Sequence, residues 1–360
     1  AKRMYVIYMD KEELLSILLK NYLSVSEHLK SVFIFDRDGL MMSSATKRES
    51  SQSNEEILGA IAGITDNVLN RIGKEYNLGK YVSGSYETPD FRLIFAEAGS
   101  NSIVISVSDY ELSLNQVLPY IFLLAEKILR IIEDHLYDGF NVSIPDLGKE
   151  GLFAPAQMSN LLGENLQIEG KDGNSLDFSL MTPESKTMRY KLIVLGEAAV
   201  GKTSLIDRFA SDKFNQDYLP TLGISITEQQ YFILNSPESK IEFMIWDLAG
   251  QKFFKRARKA YITGASVAFI VYDVTSQASF EKIPDWFADI DEELPNIPRI
   301  VVANKIDLKD ERVVTSEQGR ELANKNKCSY IETSAKTGEN VQEAFKLLGI
   351  GLFFKKVKEI

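Results

Sequence analysis

Residues 191–204, KLIVLGEAAVGKTS, decide how the second half of this chain must fold. The apolar run Leu192–Leu195 reads as a buried strand; it breaks at Gly196, and an apolar helical period resumes from about Thr203. Between them lies G-x-x-x-x-G-K-T: Gly196, Glu197, Ala198, Ala199, Val200, Gly201, Lys202 and Thr203, followed by Ser204. A loop of this kind bends tightly, so successive backbone N–H groups point inward and form an anion nest. The helix N-terminus behind it adds partial positive charge. Lys202 is expected to reach the β- and γ-phosphates, and the Thr203 hydroxyl to coordinate Mg²⁺. A glycine-containing strand–helix turn that binds nothing has no use for all of these residues in that context. The stretch predicts a nucleotide site.

Working outward, the apolar strand IVVA (300–303) runs into Asn304-Lys305-Ile306-Asp307. A carboxylate at Asp307 can accept two N–H bonds from the edge of guanine, whereas adenine would leave it unpaired at a cost. Strand YIET (330–333) leads into Ser334-Ala335-Lys336, a second base-side loop. Strand FMIW (243–246) leads into Asp247-Leu248-Ala249-Gly250-Gln251, where Asp247 fits the Mg²⁺-water position and Gln251 the orienting of an attacking water.

In this order and spacing these motifs resemble the Ras superfamily, and Trp246-Asp247 with Glu332-Thr333-Ser334-Ala335-Lys336 resembles its Rab branch. The resemblance covers about residues 188–360. It implies an α/β P-loop domain with a mostly parallel, doubly wound sheet, GTP/GDP and Mg²⁺ as ligands, and slow GTP hydrolysis. It also implies that Phe214, seven residues before Thr221, stacks on guanine, and that Tyr218 and Thr221 belong to a first switch. Thr221 would join Thr203 and Asp247 around Mg²⁺ when the γ-phosphate is present. Gly250 would line the nucleotide, and Gln251, Lys202 and Thr221 would carry catalysis. Residues 251–261 fit a second switch, with Phe253 and Phe254 either as a partner surface or as part of an ordinary amphipathic helix. Strands are expected at Ile224–Thr227 and Tyr231–Leu234. One departure is Glu197-Ala198-Ala199, where Ras-like chains commonly carry glycine. The Ala198 methyl crowds the approach of a partner's arginine, and no insertion supplies one in cis. Unstimulated turnover on the order of 10⁻⁴ to 10⁻² s⁻¹ is expected.

The 360 residues suffice for two ordinary domains. A net charge of −10 argues against nucleic acid and anionic lipid as main partners. One cysteine, Cys328, precludes an intramolecular disulfide and fits a reducing, cytoplasmic setting. His28 and His135 with that cysteine cannot make an ordinary zinc site. No stretch has the roughly 20 apolar residues of a membrane span. The final FFKKVKEI holds no cysteine, unlike the prenylated ends usual in Rab-type proteins. No C-terminal lipid anchor is therefore expected, and membrane association would be indirect.

In the first half, residues 11–30 carry Leu14, Leu15, Leu18, Leu19, Tyr22, Leu23, Val25 and Leu29 as one helical face. A strand at Ser31–Phe35, an Asp36-Arg37-Asp38-Gly39 turn and a strand at Leu40–Ser44 read as a hairpin. The two aspartates lack the other ligands of a Ca²⁺ loop. A second helix is expected at Glu55–Tyr76, strands at Tyr81–Tyr86, Phe91–Ala96 and Ser102–Ser108, and a last helix at Leu114–Leu136. This α-β-β-α-β-β-β-α order predicts a five-stranded antiparallel sheet with helices on one face. It resembles the roadblock family over about residues 5–138, a family related to the longin architecture. Fusion of the two parts resembles GTPases of archaea close to eukaryotes. The expected organisation is a roadblock/longin-like α+β domain at 1–140, a structured linker at 141–187 and a small GTPase domain at 188–360. Within the linker, 154–166 has a short helical pattern, and a hairpin is expected around GKDGNS.

The function read from these residues is a GTP-hydrolysing molecular switch. Its N-terminal domain would form a homodimer or dock on the GTPase part, and effector and GTPase-activating partners are implied but unidentified. The alternative is a GTP-binding scaffold in which nucleotide is mainly structural. A P-loop ATPase is disfavoured by Asp307.

Overall fold

The computed structural model describes residues 9–47, 80–87, 91–109, 111–112, 114–136, 140–148, 165–169, 175–181, 187–214, 224–233, 236–248, 261–295 and 297–357. Helix α1 (Lys11–Leu23) starts at Asp10, whose side chain accepts from Glu13 N at 2.7 Å. It buries Leu14, Leu15, Leu18, Leu19, Tyr22 and Leu23 of the expected face, but it ends at Leu23 with Ser24 as its cap instead of running to residue 30, and Leu29 begins the next strand. Strands β1 (Leu29–Asp36) and β2 (Met41–Thr46) form the expected hairpin. Asp36 Oδ1 accepts from the backbone N–H groups of Asp38 and Leu40, and Gly39 takes φ 83°, so the aspartate serves turn chemistry.

Strands β3 (Lys80–Glu87), β4 (Phe91–Glu97) and β5 (Ser102–Asp109) follow, then helix α2 (Leu114–Ile132). The expected helix at 55–76 lies outside the described residues. The connector supplies β6 (Asn165–Glu169) and β7 (Ser175–Met181), the hairpin expected around GKDGNS. Residues 165 and 166, assigned above to a helical pattern, are strand. The hairpin joins β3, so the sheet has seven strands, in the order β2-β1-β5-β4-β3-β7-β6, instead of five. The physical reason is that β3 offered an unpaired edge, which the connector hairpin covers.

Around β1, β4 and β5 both faces of that sheet are buried. Val32, Ile34, Ile94, Ala96 and Val104 pack with α1 and α2 in the main core cluster. Phe33, Phe35, Leu93, Phe95, Ile103 and Ile105 form a second cluster, none more than 4% exposed. An open second face, implied by helices on one side only, is therefore absent among the described residues.

The second half forms a six-stranded sheet in the order β13-β12-β11-β8-β10-β9. Its strands are β8 (Thr187–Leu195), β9 (Ile224–Ile233), β10 (Ser236–Leu248), β11 (Val267–Asp273), β12 (Arg299–Asn304) and β13 (Ser329–Glu332). All pairings are parallel except that of β9 with β10. The two strands expected at 224–227 and 231–234 are one continuous strand, because pairing with β10 holds the polar Glu228-Gln229-Gln230 extended. Helices α3 (Lys202–Ser211), α4 (Gln277–Glu281), α5 (Ile283–Glu293), α6 (Ser316–Lys325) and α7 (Val341–Val357) accompany it. No helix among the described residues is long and apolar enough to cross a membrane.

The two halves share one apolar core. Helix α2 is buried on all sides from Val117 to Ile128, more than the single stripe expected from its sequence. A helix apolar all round needs neighbours all round. It packs on α1 on one side and on α7 on the other. Into this apolar contact the sequence places charges in pairs. Lys127 Nζ lies 2.6 Å from Glu343 Oε1, and Lys346 Nζ lies 2.6 Å from Glu126 Oε1. Tyr231 of β9 donates to Glu126 Oε2 at 2.6 Å. Burial alone would raise the Glu126 carboxyl, but the Lys346 and Arg130 charges, with hydrogen bonds from Lys346 and Tyr231, hold it at about 2.

Candidate functional site

The site is assembled where the parallel strands end. After β8 the chain turns at Gly196, with φ 144°; a Cβ there would lie 2.2 Å from the Val271 carbonyl oxygen of the neighbouring strand. Gly201 sits at φ 96°, and its Cβ would lie 2.4 Å from Asn304 Nδ2. Only glycine allows both the loop's curvature and these approaches. Between them Ala198 and Ala199 are exposed, and Ala199 takes φ 64°. Helix α3 begins at Lys202, so Lys202, Thr203 and Ser204 occupy its first turn.

Lys202 is 6% exposed, and its Nζ donates to the carbonyls of Gly196 at 2.9 Å and Glu197 at 2.8 Å. Burial lowers its pKa to about 8, against the opposing pull of Asp247 and Glu197. An ammonium lying across its own loop and stripped of water has much to gain from an anion. Thr203 Oγ1 donates to Asp247 Oδ2 at the end of β10, where Asp247 is 2% exposed. A hydroxyl and a buried carboxylate together at a helix N-terminus are hard oxygen donors suited to Mg²⁺, so these residues fit that ion beside a phosphate.

The loops after β12 and β13, where the sequence expects the base, are joined to this loop by one amide. Asn304 Nδ2 donates to the Val200 carbonyl at 2.9 Å, while its Oδ1 accepts from Ala335 N at 3.2 Å and Thr333 Oγ1 at 3.3 Å. Three loops are thereby held in register. Ser334 Oγ donates to Asp307 Oδ1 at 2.6 Å, and Lys336 Nζ lies 3.8 Å from Asp307 Oδ2. Lys305 takes φ 70°, and its Nζ lies 2.5 Å from Asp273 Oδ2. Phe214 is half-buried and packs against the main core cluster. Tyr218, Thr221, Gly250 and Gln251 lie outside the described residues, as do Phe253 and Phe254.

Two residues in this assembly escaped the sequence reading. Asp273, at the end of β11, anchors Lys305 and accepts from Thr275 N and Oγ1 at 2.8 and 2.7 Å. The strand-ending Asp followed by Val-Thr-Ser was the available signal. Arg208 of α3 is 4% exposed and donates to the carbonyls of Ala335 and Lys336, each at 2.8 Å. An arginine on an apolar-periodic helix gave no sequence cue to that contact.

A glycine-cornered anion loop, a Thr–Asp pair and a carboxylate-bearing base loop define a P-loop nucleotide-binding protein. The family model described as Ras family matches residues 191–351. Rab-13 of Rattus norvegicus is 39% identical over 167 residues, which are 46% of this chain and 81% of that protein. Rab-8B of Homo sapiens is 37% identical over 167 residues, 46% of this chain and 79% of that protein. Rab-1 of Theileria annulata is 38% identical over 165 residues, covering 45% and 74%. The chain belongs to the Ras family, with a Rab-like second half. It is a GTPase, with GTP, GDP and Mg²⁺ as its ligands.

Proposed function

We propose that the chain is a switch whose GTPase domain, about residues 188–360, changes its partner surface between GTP and GDP, and whose N-terminal half is a permanently docked roadblock-type module. In this reading residues 1–140 are that module, 141–187 are a structured linker, and the setting is cytoplasmic. Lys202 offsets charge on the β- and γ-phosphates, and the backbone N–H groups of 196–204 cradle them. Thr203, Asp247 and Thr221 hold Mg²⁺, which supplies charge neutralisation at the phosphate oxygens when bound. Gln251 orients the attacking water, and Gly250 faces the γ-phosphate. Asp307 reads the guanine edge, Ser334 aims that carboxylate, Asn304, Lys305, Ala335 and Lys336 form the base pocket, and Phe214 and Tyr218 flank the nucleotide. Partners then meet the surface around exposed Ile226 and the Trp246–Tyr261 ring pair, whose centroids lie 6.0 Å apart.

The observation that supports this most is the Asn304 junction, since one side chain ties a phosphate loop to a base loop carrying an oriented carboxylate. The docked role of the first half rests on the paired charges buried between α2 and α7. Its roadblock-type character rests on the order of α1, β1 to β5 and α2. Gln251→Leu tests the switch: affinity for GTP should hold, while single-turnover hydrolysis of bound GTP should fall about 10²-fold. Unchanged hydrolysis would mean that another residue positions the water. A homodimer would have the edge strand β2 available, where Met41 and Met42 are 44% and 42% exposed beside Leu40, just before the strand, at 67%. Mass in solution with GDP and with a non-hydrolysable GTP analogue separates that arrangement from docking within one chain.

A further inference from the structure

Residues 140–148 run from the first half along the outer edge of the second sheet. The Leu147 carbonyl accepts from Tyr330 N at 3.0 Å, so this stretch pairs with the edge strand β13. From the other side the Tyr120 hydroxyl of α2 accepts from Leu147 N at 2.8 Å. Asp146 Oδ2 lies 2.7 Å from Arg320 Nη1 of α6. Ser143 Oγ lies 2.9 Å from Asn340 Oδ1 and 2.6 Å from Asn141 Oδ1, one hydroxyl proton serving two amide oxygens.

Asn340 is an informative place to be held. It takes φ 57°, immediately after the base-side turn and immediately before α7. Its own Nδ2 donates to the Glu332 carbonyl at 2.9 Å, which leaves Oδ1 facing Ser143. Within the turn Ser334 N donates to the Glu339 carbonyl at 3.0 Å, and Gly338 N to the Ser334 carbonyl at 2.8 Å. Ser334 Oγ then reaches Asp307. Bond by bond, the path runs from Ser143 to Asn340, through Glu339 to Ser334, and on to Asp307. Arg208 holds the same turn from inside, through the carbonyls of Ala335 and Lys336.

We propose that residues 140–148, with Ser143 as the positioning residue, brace the base-reading loop from outside, so that nucleotide retention and guanine selectivity depend on the docked first half. The effect enters at the base end of the pocket, where these bonds fall on α6, β13 and Asn340. This deepens the assignment of Asp307 to guanine and rests on it. With Arg208 still in place, loss of the outer brace loosens the loop without dismantling it.

The test uses the full chain and fluorescent GDP and IDP, which differ by the exocyclic amine that Asp307 reads. In Ser143→Ala, GDP release should speed up about 3- to 10-fold, the range of one ordinary hydrogen bond. The GDP-over-IDP margin should shrink by a similar factor, while single-turnover hydrolysis stays within about 2-fold. Asn340→Gly, which tolerates the left-handed backbone but also removes the bond to the Glu332 carbonyl, should speed GDP release at least as much, and the double variant should be no worse than Asn340→Gly alone. Unchanged GDP release in both single variants overturns the proposal. So does equal acceleration of GDP and IDP, which signals general loosening instead of a displaced Asp307. If wild-type protein fails to prefer GDP over IDP, the base-site assignment itself falls, and that failure is visible before any variant is made.

Discussion

The two sheets are built from comparably apolar strands, yet among the described residues only one of them gathers the candidate site. Every residue of β11, Val267–Asp273, is buried, and in the antiparallel sheet β5 is nearly as dry. Strand direction makes the difference. In the parallel sheet β8, β10, β11, β12 and β13 all end at one edge, so the loops after Leu195, Leu248, Asp273, Asn304 and Glu332 open side by side. In the antiparallel sheet neighbouring strands end at opposite edges, and their loops are short hairpins such as 37–40 and 98–101. Such a sheet offers faces, and α1 and α2 use one of them to build a surface for α7. The described first half therefore contributes packing, the second convergent loops.

The sharpest way to break this contrast is Asp307→Asn. If base choice resides in the convergent loops, exchanging an acceptor for a donor should swing the GDP-to-XDP preference by about 10⁴-fold in competition binding. A wild-type margin would remove Asp307 from the base site.

Packing is tested by Glu343→Ala, which leaves Lys127 buried opposite an apolar residue. Denaturant unfolding should show a loss of about 3–5 kcal/mol, whereas changing both Lys127 and Glu343 to Met should recover most of it. A single variant as stable as the double one would mean that the pair is not buried in solution.

The neighbouring Glu126 makes the same contact sensitive to acid. Its carboxyl titrates near 2 in the fold against 4.5 in the unfolded chain, so the unfolded state binds more protons between those values. Its stabilisation is complete above about pH 4.5 and is lost as pH falls toward about 2. Relative to Glu126→Gln, wild type should lose about 3 kcal/mol more across that window. Parallel stability curves would show that the carboxylate gains nothing from Lys346, Arg130 and Tyr231.

The smallest effects compare the halves directly. Asp10 caps α1, and Thr315 closes a capping box on α6 with Gln318. Each replaced by Ala should cost about 1 kcal/mol. Because one apolar cluster spans both halves, each variant should shift a single common unfolding transition. Two separate transitions, each moved by only its own cap, would show that the halves unfold independently.

Much of the candidate site was legible because its residues are local in the chain. Gly196 to Thr203, Asn304 to Asp307 and Ser334 to Lys336 each carry their meaning in a few consecutive residues, and the apolar strands before them say where each loop begins. The Asp36 turn and the face of α1 were equally readable, since turns and amphipathic helices are settled by neighbours in the chain. Arg208 and Asp273 were not, because their partners lie more than 30 residues away along the chain, at Ala335, Lys336 and Lys305. The same holds for the connector. Its hairpin is visible in GKDGNS, but only assembly put that hairpin on the edge of β3 and made a five-stranded sheet into one of seven.

By itself, then, the sequence determined a Ras-like nucleotide-binding second half carrying the loops 196–204, 304–307 and 334–336, and antiparallel strands before it. What tertiary structure alone decided is how the two halves meet: α2 buried all round, Lys127 and Glu126 matched to Glu343 and Lys346, and Ser143 set against Asn340. Helical periodicity records which residues seek burial but not what will bury them. A lone lysine or glutamate in an apolar stripe has its partner some 220 residues on, and only the folded core brings the two together.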